Sequence, residues 1–585
     1  MPVTPQRDTR LLRGRLAEPA AALLLVAAVL ALYLPALRGG FVWLDHREIV
    51  EGALIVQRLR DVPGLFVNDG NFAGYHRPIY DLLHSLDRAL WGLDPFGFHL
   101  SSLVLHVVNA LGVFVLARRL GDAWRSTGPR FALAALWALH PVHNPVAGLI
   151  HAKADLFVTT MLLATLAALA AALRRERLRA APLYAAAALA FAIALYTKEL
   201  AVALPLALVA GLPWARLQER TRRRLAVAIG GGFALCALVL VQRGLVGGAS
   251  GYSSPIALPE RLLTFATVWI DYIRGMVLPF DPALADTTTV WSALEVGVRA
   301  RYAIALVLLV LLGASTWRRL PDARPFLALH VAFLLPVAQV VPLLHFRAER
   351  FMYLPALGLV GTAVVLVRAG VRRRPRNIAF ALASSALCAV LIVGWMRLGR
   401  ARIATFEDDV TLFTRELARM PDYREGAAAL ARALDRAGRF DEATPFHERA
   451  ARIDPRRLSY AAEGTLAVNH AHNLLARGRF DEALAVIEQR GALALLPRER
   501  EELAYNRAIA LSRVGRPNEA LEIFEDYVSA HPLDASAHFL LGRSAAAAGE
   551  PARARAAWRR YLELAPEAPD AEQVRAWLAE LDADS

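Results

Sequence analysis

Cysteine is almost missing from this chain: 585 residues hold two, Cys236 and Cys388. Both lie inside hydrophobic runs, far apart and without ligand spacing. A disulfide framework and a thiolate metal centre are thereby excluded, and no metal site is expected. Any nucleic-acid-reading motif is missing too, so the net charge of +14 does not point to nucleic acid. Many arginines instead fill short stretches between apolar runs, where they set orientation in a membrane. A small-x-small cleavage site is lacking after the first apolar run, Pro19 to Leu37, which therefore reads as a retained signal-anchor.

What is present is hydrophobic surface. The chain is 56% hydrophobic, with a mean hydropathy of +0.36, more than soluble cores of this size accommodate. The excess is concentrated between Glu18 and about Leu398, and acids become frequent after Arg400. The expected fold is therefore all-α: a polytopic helical membrane domain over 1–398, a linker over 399–421 and a soluble region over 422–585. Basic clusters at Arg118, Arg174, Arg220 to Arg224, Arg318 and Arg372 are expected on the cytoplasmic side with the N-terminus. Separating each pair by an even number of crossings gives about eleven spans. It also leaves the C-terminal region outside, in the inner membrane of a bacterium with alanine- and arginine-rich composition. The segment 262–280, which carries Asp271, Arg274 and Pro279, is expected to be interfacial or re-entrant.

This orientation gathers charge at the outer rim. Asp45, His46, Arg47 and Glu48 follow the first span, within a first external loop of about 38–97 that also holds His76 and Arg77. His140, His143, Lys153, Asp155, Lys198, Glu199, His345, Arg347, Glu349 and Arg350 lie at other membrane exits. A charge at membrane depth costs a few kcal/mol unless it is paired or wet. Read singly, each residue is a snorkelling anchor or half of a helix–helix ion pair. As a set on one side they suit a lipid-linked phosphate, with cations to hold it and a carboxylate to take a hydroxyl proton.

The strings Phe41-Val42-Trp43-Leu44-Asp45-His46, Tyr75-His76-Arg77-Pro78 and Phe98-His99-Leu100 with His106 and Asn109 come first in an ordered series. Ala138-Leu139-His140-Pro141-Val142-His143, Lys153-Ala154-Asp155-Leu156, Thr197-Lys198-Glu199 and Glu349-Arg350-Phe351-Met352-Tyr353-Leu354-Pro355 with Gly358 continue it. The series resembles the tetratricopeptide-containing O-mannosyltransferase-like proteins, whose membrane part belongs to the C-type superfamily of integral membrane glycosyltransferases. The resemblance implies transfer of a sugar from a polyprenyl-phosphate carrier to a hydroxyl outside the cytoplasm. It implies Asp45 as the base and Arg77, Lys153, Lys198, Arg347 and Arg350 as the phosphate-holding cations. His46, His76, His140, His143, Asp155, Glu199 and Glu349 would support them, and no cofactor beyond the lipid-linked donor is required. The chain departs from the family in carrying Asp45 beside Leu44 where two adjacent acids usually follow the first span, and in reading Asn144-Pro145 where Thr-Glu is usual.

The C-terminal region repeats. Gly438-Arg439-Phe440-Asp441-Glu442-Ala443 recurs as Gly478-Arg479-Phe480-Asp481-Glu482-Ala483, then degenerately from Gly515 and Gly549, with prolines at Pro455, Pro497, Pro532 and Pro566. The period is close to the roughly 34 residues of tetratricopeptide repeats, so about four helix pairs are expected to stack into a solenoid that binds a protein partner or acceptor. The leading expectation is a membrane glycosyltransferase acting on the extracytoplasmic face, with a protein the expected acceptor. The alternative is a non-enzymatic, membrane-anchored scaffold of an envelope complex, built on a decayed transferase fold.

Overall fold

The computed structural model describes residues 6–52, 56, 58–67, 76–246, 256–279, 284, 288–343, 345–373, 378–452, 463–490 and 497–583. Tyr75 and Pro455, named above, lie outside them. The chain divides into two compact units, Met1–Glu416 with Arg456–Leu458, and Leu417–Pro455 with Ser459–Ser585. Both are all-α, and among the described residues there is no β-strand.

In the first unit, eight helices among the described residues are long and apolar enough to cross a membrane. They are Ala17–Arg38, Pro95–Leu120, Ile150–Ala172, Leu178–Thr197, Glu219–Leu245, Val296–Arg319, Pro355–Arg373 and Ile378–Phe406. Eight is fewer than the expected eleven because three of the apolar runs form short helices. Two are broken by proline, which removes a backbone donor and clashes with the preceding turn. One is confined between the Lys198-Glu199 break and Pro213. The run 130–150 is an α-helix over Thr127–Ala138 and then turns at Pro141. The run 200–214 is an α-helix over Ala203–Gly211 and stops before Pro213. The run 326–344 gives Arg324–Leu334, followed by a short turn containing Pro336. Segment 262–280 lies mostly within the helix Leu258–Val277, which is not among the eight. Its Asp271 pairs with Arg274 at 3.3 Å and Arg347 at 3.8 Å.

Buried polar groups tie these helices together, since an amide or hydroxyl without a partner is costly away from water. Asn109 donates to the Leu156 carbonyl at 2.9 Å and to the Tyr353 hydroxyl at 3.2 Å, and His106 Nδ1 lies 2.8 Å from that hydroxyl. Trp137 Nε1 donates to the Tyr353 carbonyl at 2.9 Å. Gly358 lets Pro355–Arg373 lie directly on Arg324–Leu334: a Cβ there would overlap the Phe326 carbonyl oxygen and His330.

The segment expected as a linker, 399–421, is largely helical, over Ile378–Ile403 and Asp409–Arg419. Asp409 reaches back to the exit of the first span. Its carboxylate accepts the Trp43 N–H at 2.6 Å and meets His46 Nε2 at 2.9 Å. Trp43 has φ +56°, a left-handed conformation unusual for a bulky residue, and residues 44–50 follow as one helical stretch.

The second unit holds nine described helices from Arg424–Arg436 to Ala571–Ala583, arranged as four pairs and a terminal helix. Gly438, Gly478, Gly515 and Gly549 end the first helix of each pair with φ between +71° and +82°. In each case the following N–H returns to a carbonyl five residues back, as from Arg439 to Leu434 at 2.9 Å. This is the left-handed helix stop that glycine adopts without strain. Ala443, Ala483, Ala520 and Ala554, each five residues after its glycine, are fully buried where the paired helices approach.

Candidate functional site

In the first unit, a cavity of about 130 Å³ is walled by Leu44 and Glu48, by Arg77 and Tyr80, and by His151 and Asp155. Lys198, Glu199, His345 and Arg350 complete its polar lining. Several come from the ends of elements. Leu44 and Glu48 sit one turn apart on the stretch that follows Trp43. Arg77 is the residue before Pro78, which opens the helix Pro78–Trp91. Lys198 and Glu199 form the break between Arg177–Thr197 and the next short helix, where Lys198 is extended.

The cations arrive mostly paired. The Arg77 guanidinium meets both oxygens of Glu199, with Nε to Oε2 at 3.0 Å. Lys198 Nζ lies 2.6 Å from Asp155 Oδ1 and 5.6 Å from the centre of the Phe351 ring. Arg350 differs: it makes no ion pair among the described residues, and one buried guanidinium nitrogen has no hydrogen-bond partner there. Its charge rests over the rings of Trp43 and Phe351, at 5.7 and 5.3 Å. A desolvated guanidinium in this setting suits an anion.

The carboxylates divide by position. Asp45 is fully buried and does not line the cavity. Its Oδ2 accepts the Val42 N–H at 3.1 Å, and its Oδ1 accepts both the His151 N–H at 2.8 Å and His151 Nδ1 at 3.0 Å. Burial pushes the Asp45 carboxyl up, but the hydrogen bonds and charge of His151 outweigh it and hold the group below its ordinary value. Glu48 lines the cavity and accepts from the Tyr80 hydroxyl at 2.6 Å. Burial raises its proton affinity and the charge of Asp45 adds to this, against His151, Tyr80 and Arg77. Asp81, beside them, is pushed up to about 7 by burial and by the charge of Glu48.

Of the residues expected from the sequence, the structure brings Arg77, Lys198, Arg350, Asp155 and Glu199 to one cavity. The others lie elsewhere. Lys153 is buried under the Phe98 ring and paired with Asp87. Arg347 turns to Asp271, and His46 to Asp409. His140 caps a turn by accepting the Val142 N–H, its other nitrogen 3.0 Å from the Met276 carbonyl, and His143 packs among Trp137, His106 and Tyr353. His76 and Glu349 are buried off the cavity wall. Tyr80 and His151 were not legible as site residues, because a lone tyrosine or histidine at a helix start reads as packing. The lysines did carry a signal: of 67 basic residues only Lys153 and Lys198 are lysine.

A larger groove of about 1430 Å³ is lined mainly by apolar side chains of Lys153–Ala172, Arg177–Thr197, Ala203–Gly211 and Glu219–Leu245. It contains none of the expected site residues. Among the described residues no cluster of His, Cys, Asp or Glu has metal-ligand geometry.

A family model described as tetratricopeptide repeat matches residues 505–569. The chain is 36% identical over 138 residues to the protein O-mannosyl-transferase Tmtc1 of Drosophila melanogaster, covering 22% of this chain and 16% of that protein. It is 31% identical over 294 residues to Tmtc2 of the same organism, covering 45% of this chain and 30% of that protein. The chain thus spans less than a third of the length of these curated relatives. A crystal structure of ArnT from Cupriavidus metallidurans bound to undecaprenyl phosphate aligns with 82% of this chain and 84% of that one, at 16% identity and a TM-score of 0.36. Over part of its length the chain is thus similar to protein O-mannosyl-transferases, as the sequence motifs suggest, and its C-terminal region is similar to tetratricopeptide repeats.

Proposed function

We propose that this chain is a membrane glycosyltransferase that moves a sugar from a polyprenyl-phosphate carrier to an acceptor hydroxyl, with protein as the acceptor class. Residues 1–398 form its C-type transferase domain, and the repeats over 422–585 recruit the acceptor or a partner. The arginine distribution supports a bacterial inner-membrane protein with its N-terminus in the cytoplasm and both cavity and repeats on the extracytoplasmic face. The observation that carries the reading is Arg350, a partly desolvated guanidinium without a carboxylate partner among the described residues, beside Lys198 and Arg77 on one cavity wall. The phosphate of the donor takes the place of that missing partner. Lys198 and Arg77, already neutralised by Asp155 and Glu199, supply further donors as negative charge grows on the departing phosphate.

The test is transfer of labelled sugar from polyprenyl-phosphate mannose to a membrane-protein fraction by the full-length chain in lipid nanodiscs. Arg350→Ala is expected to lower transfer about 10²-fold while the protein folds normally. Transfer by Arg350→Ala within threefold of the unaltered chain contradicts the phosphate site.

A further inference from the structure

Leu44, Asp45 and Glu48 share one helical stretch, yet they do not share a face. Leu44 and Glu48, four residues apart, both line the cavity, and Asp45 points away from it into the protein. A base must bring a free lone pair within hydrogen-bond reach of the hydroxyl it deprotonates. Asp45 is fully buried and its two oxygens already accept three hydrogen bonds, from Val42 and twice from His151. Glu48 presents a different picture. One carboxylate oxygen accepts from Tyr80, and the other makes no hydrogen bond among the described residues.

We infer that Glu48 is the catalytic base of the transfer, and that Asp45 is a positioning residue that acts through His151. The inference rests on the reading given under Proposed function. In the step itself, the acceptor oxygen forms a bond to the anomeric carbon of the sugar. The bond from that carbon to the phosphate oxygen breaks, and its electron pair leaves with the lipid phosphate. The hydroxyl proton passes to the free oxygen of Glu48. Charge balances within the cavity: the phosphodiester carries one negative charge before the step and the lipid phosphate two after it, while Glu48 goes from carboxylate to acid. Arg77, Lys198 and Arg350 receive the added charge on the phosphate. Burial, which favours the protonated carboxyl, strengthens Glu48 as a proton acceptor.

Asp45 has a separate task. A carboxylate can only accept, so His151 Nδ1 carries the proton that Asp45 receives. The ring is thereby locked with Nε2 unprotonated when neutral, and that nitrogen has no hydrogen-bond partner among the described residues. His151 is the competing base on the same wall, and the experiment separates the two.

Full-length protein in nanodiscs is assayed for undecaprenyl-phosphate binding and for transfer from labelled polyprenyl-phosphate mannose to a membrane-protein fraction. Glu48→Gln, which keeps shape and removes basicity, is expected to bind undecaprenyl phosphate within threefold of the unaltered chain. Its transfer is expected to fall about 10²- to 10⁴-fold. Glu48→Asp, which restores a carboxylate on a shorter arm, is expected to transfer at least tenfold faster than Glu48→Gln. Equal transfer by the two variants, or transfer by Glu48→Gln within threefold of the unaltered chain, overturns the assignment but leaves the phosphate site standing. Loss of transfer in His151→Ala, with Glu48→Gln still active, gives the role to His151. An unaltered chain that neither binds undecaprenyl phosphate nor transfers sugar overturns both the assignment and the function on which it rests.

Discussion

Arg350 meets no carboxylate among the described residues, whereas Lys198 sits 2.6 Å from Asp155 and beneath the Phe351 ring. The compact ammonium of Lys198 suits a confined position that a planar, forked guanidinium fills differently. In a chain whose other basic residues are all arginine apart from Lys153, that choice has a physical content. Lys198→Arg keeps the charge but is expected to weaken undecaprenyl-phosphate binding about tenfold, measured by titration in nanodiscs. A second residue-scale prediction concerns Asp81, whose carboxyl is pushed from its ordinary 3.8 up to about 7 by burial and by Glu48. The folded chain holds that proton more tightly than the unfolded chain. Stability therefore falls as pH rises from about 4 through 7. Asp81→Asn is expected to raise the thermal midpoint at pH 8 and leave it unchanged at pH 4, checked by fluorescence unfolding in detergent.

The limits of sequence reading show most clearly at Asp45 and Glu48. Both acids were visible after the first span, and charge at a membrane exit argues for function. Which one reaches the cavity depends on a helical register that begins only after the left-handed Trp43, and on the pairing of Trp43 with Asp409, 366 residues away. Local pattern carries no trace of that contact. Arg77, Lys198 and Arg350 were legible because a cation at membrane depth demands a reason. Lys153 and Arg347 met the same demand by pairing with Asp87 and Asp271.

At the scale of elements, the proline-broken helices and the glycine contacts carry the fold. Gly358→Ala drives a methyl group into the Phe326 carbonyl and His330, so it is expected to cost about 1–3 kcal/mol as overpacking. A drop in thermal midpoint, with cavity-wall variants as controls, checks it. In the array, fully buried Ala520 lies where helix pairs meet. Ala520→Leu is expected to destabilise the repeats by a similar 1–3 kcal/mol, read as earlier proteolytic cleavage after Pro497. The repeats were legible because their glycine, aspartate-glutamate and alanine positions recur at fixed offsets, and each offset has a backbone or packing cause. The three short helices were not, since apolar composition alone does not say where a chain turns within an apolar run.

For the whole molecule, a cavity with three cations and a tetratricopeptide array occur in one chain. The proposed account gives each a task, phosphate handling and acceptor recruitment. A chain ending at residue 421 is expected to bind undecaprenyl phosphate as the full chain does, and to lose most transfer to protein acceptors. Unchanged transfer by that shortened chain removes recruitment from the repeats. The central claim, that the cavity holds a lipid phosphate, is tested most directly by an experimental structure of the full chain with undecaprenyl phosphate. The account predicts phosphate density among Arg77, Lys198 and Arg350. Density instead at Arg220 and Arg223, at the end of the large apolar groove, contradicts it.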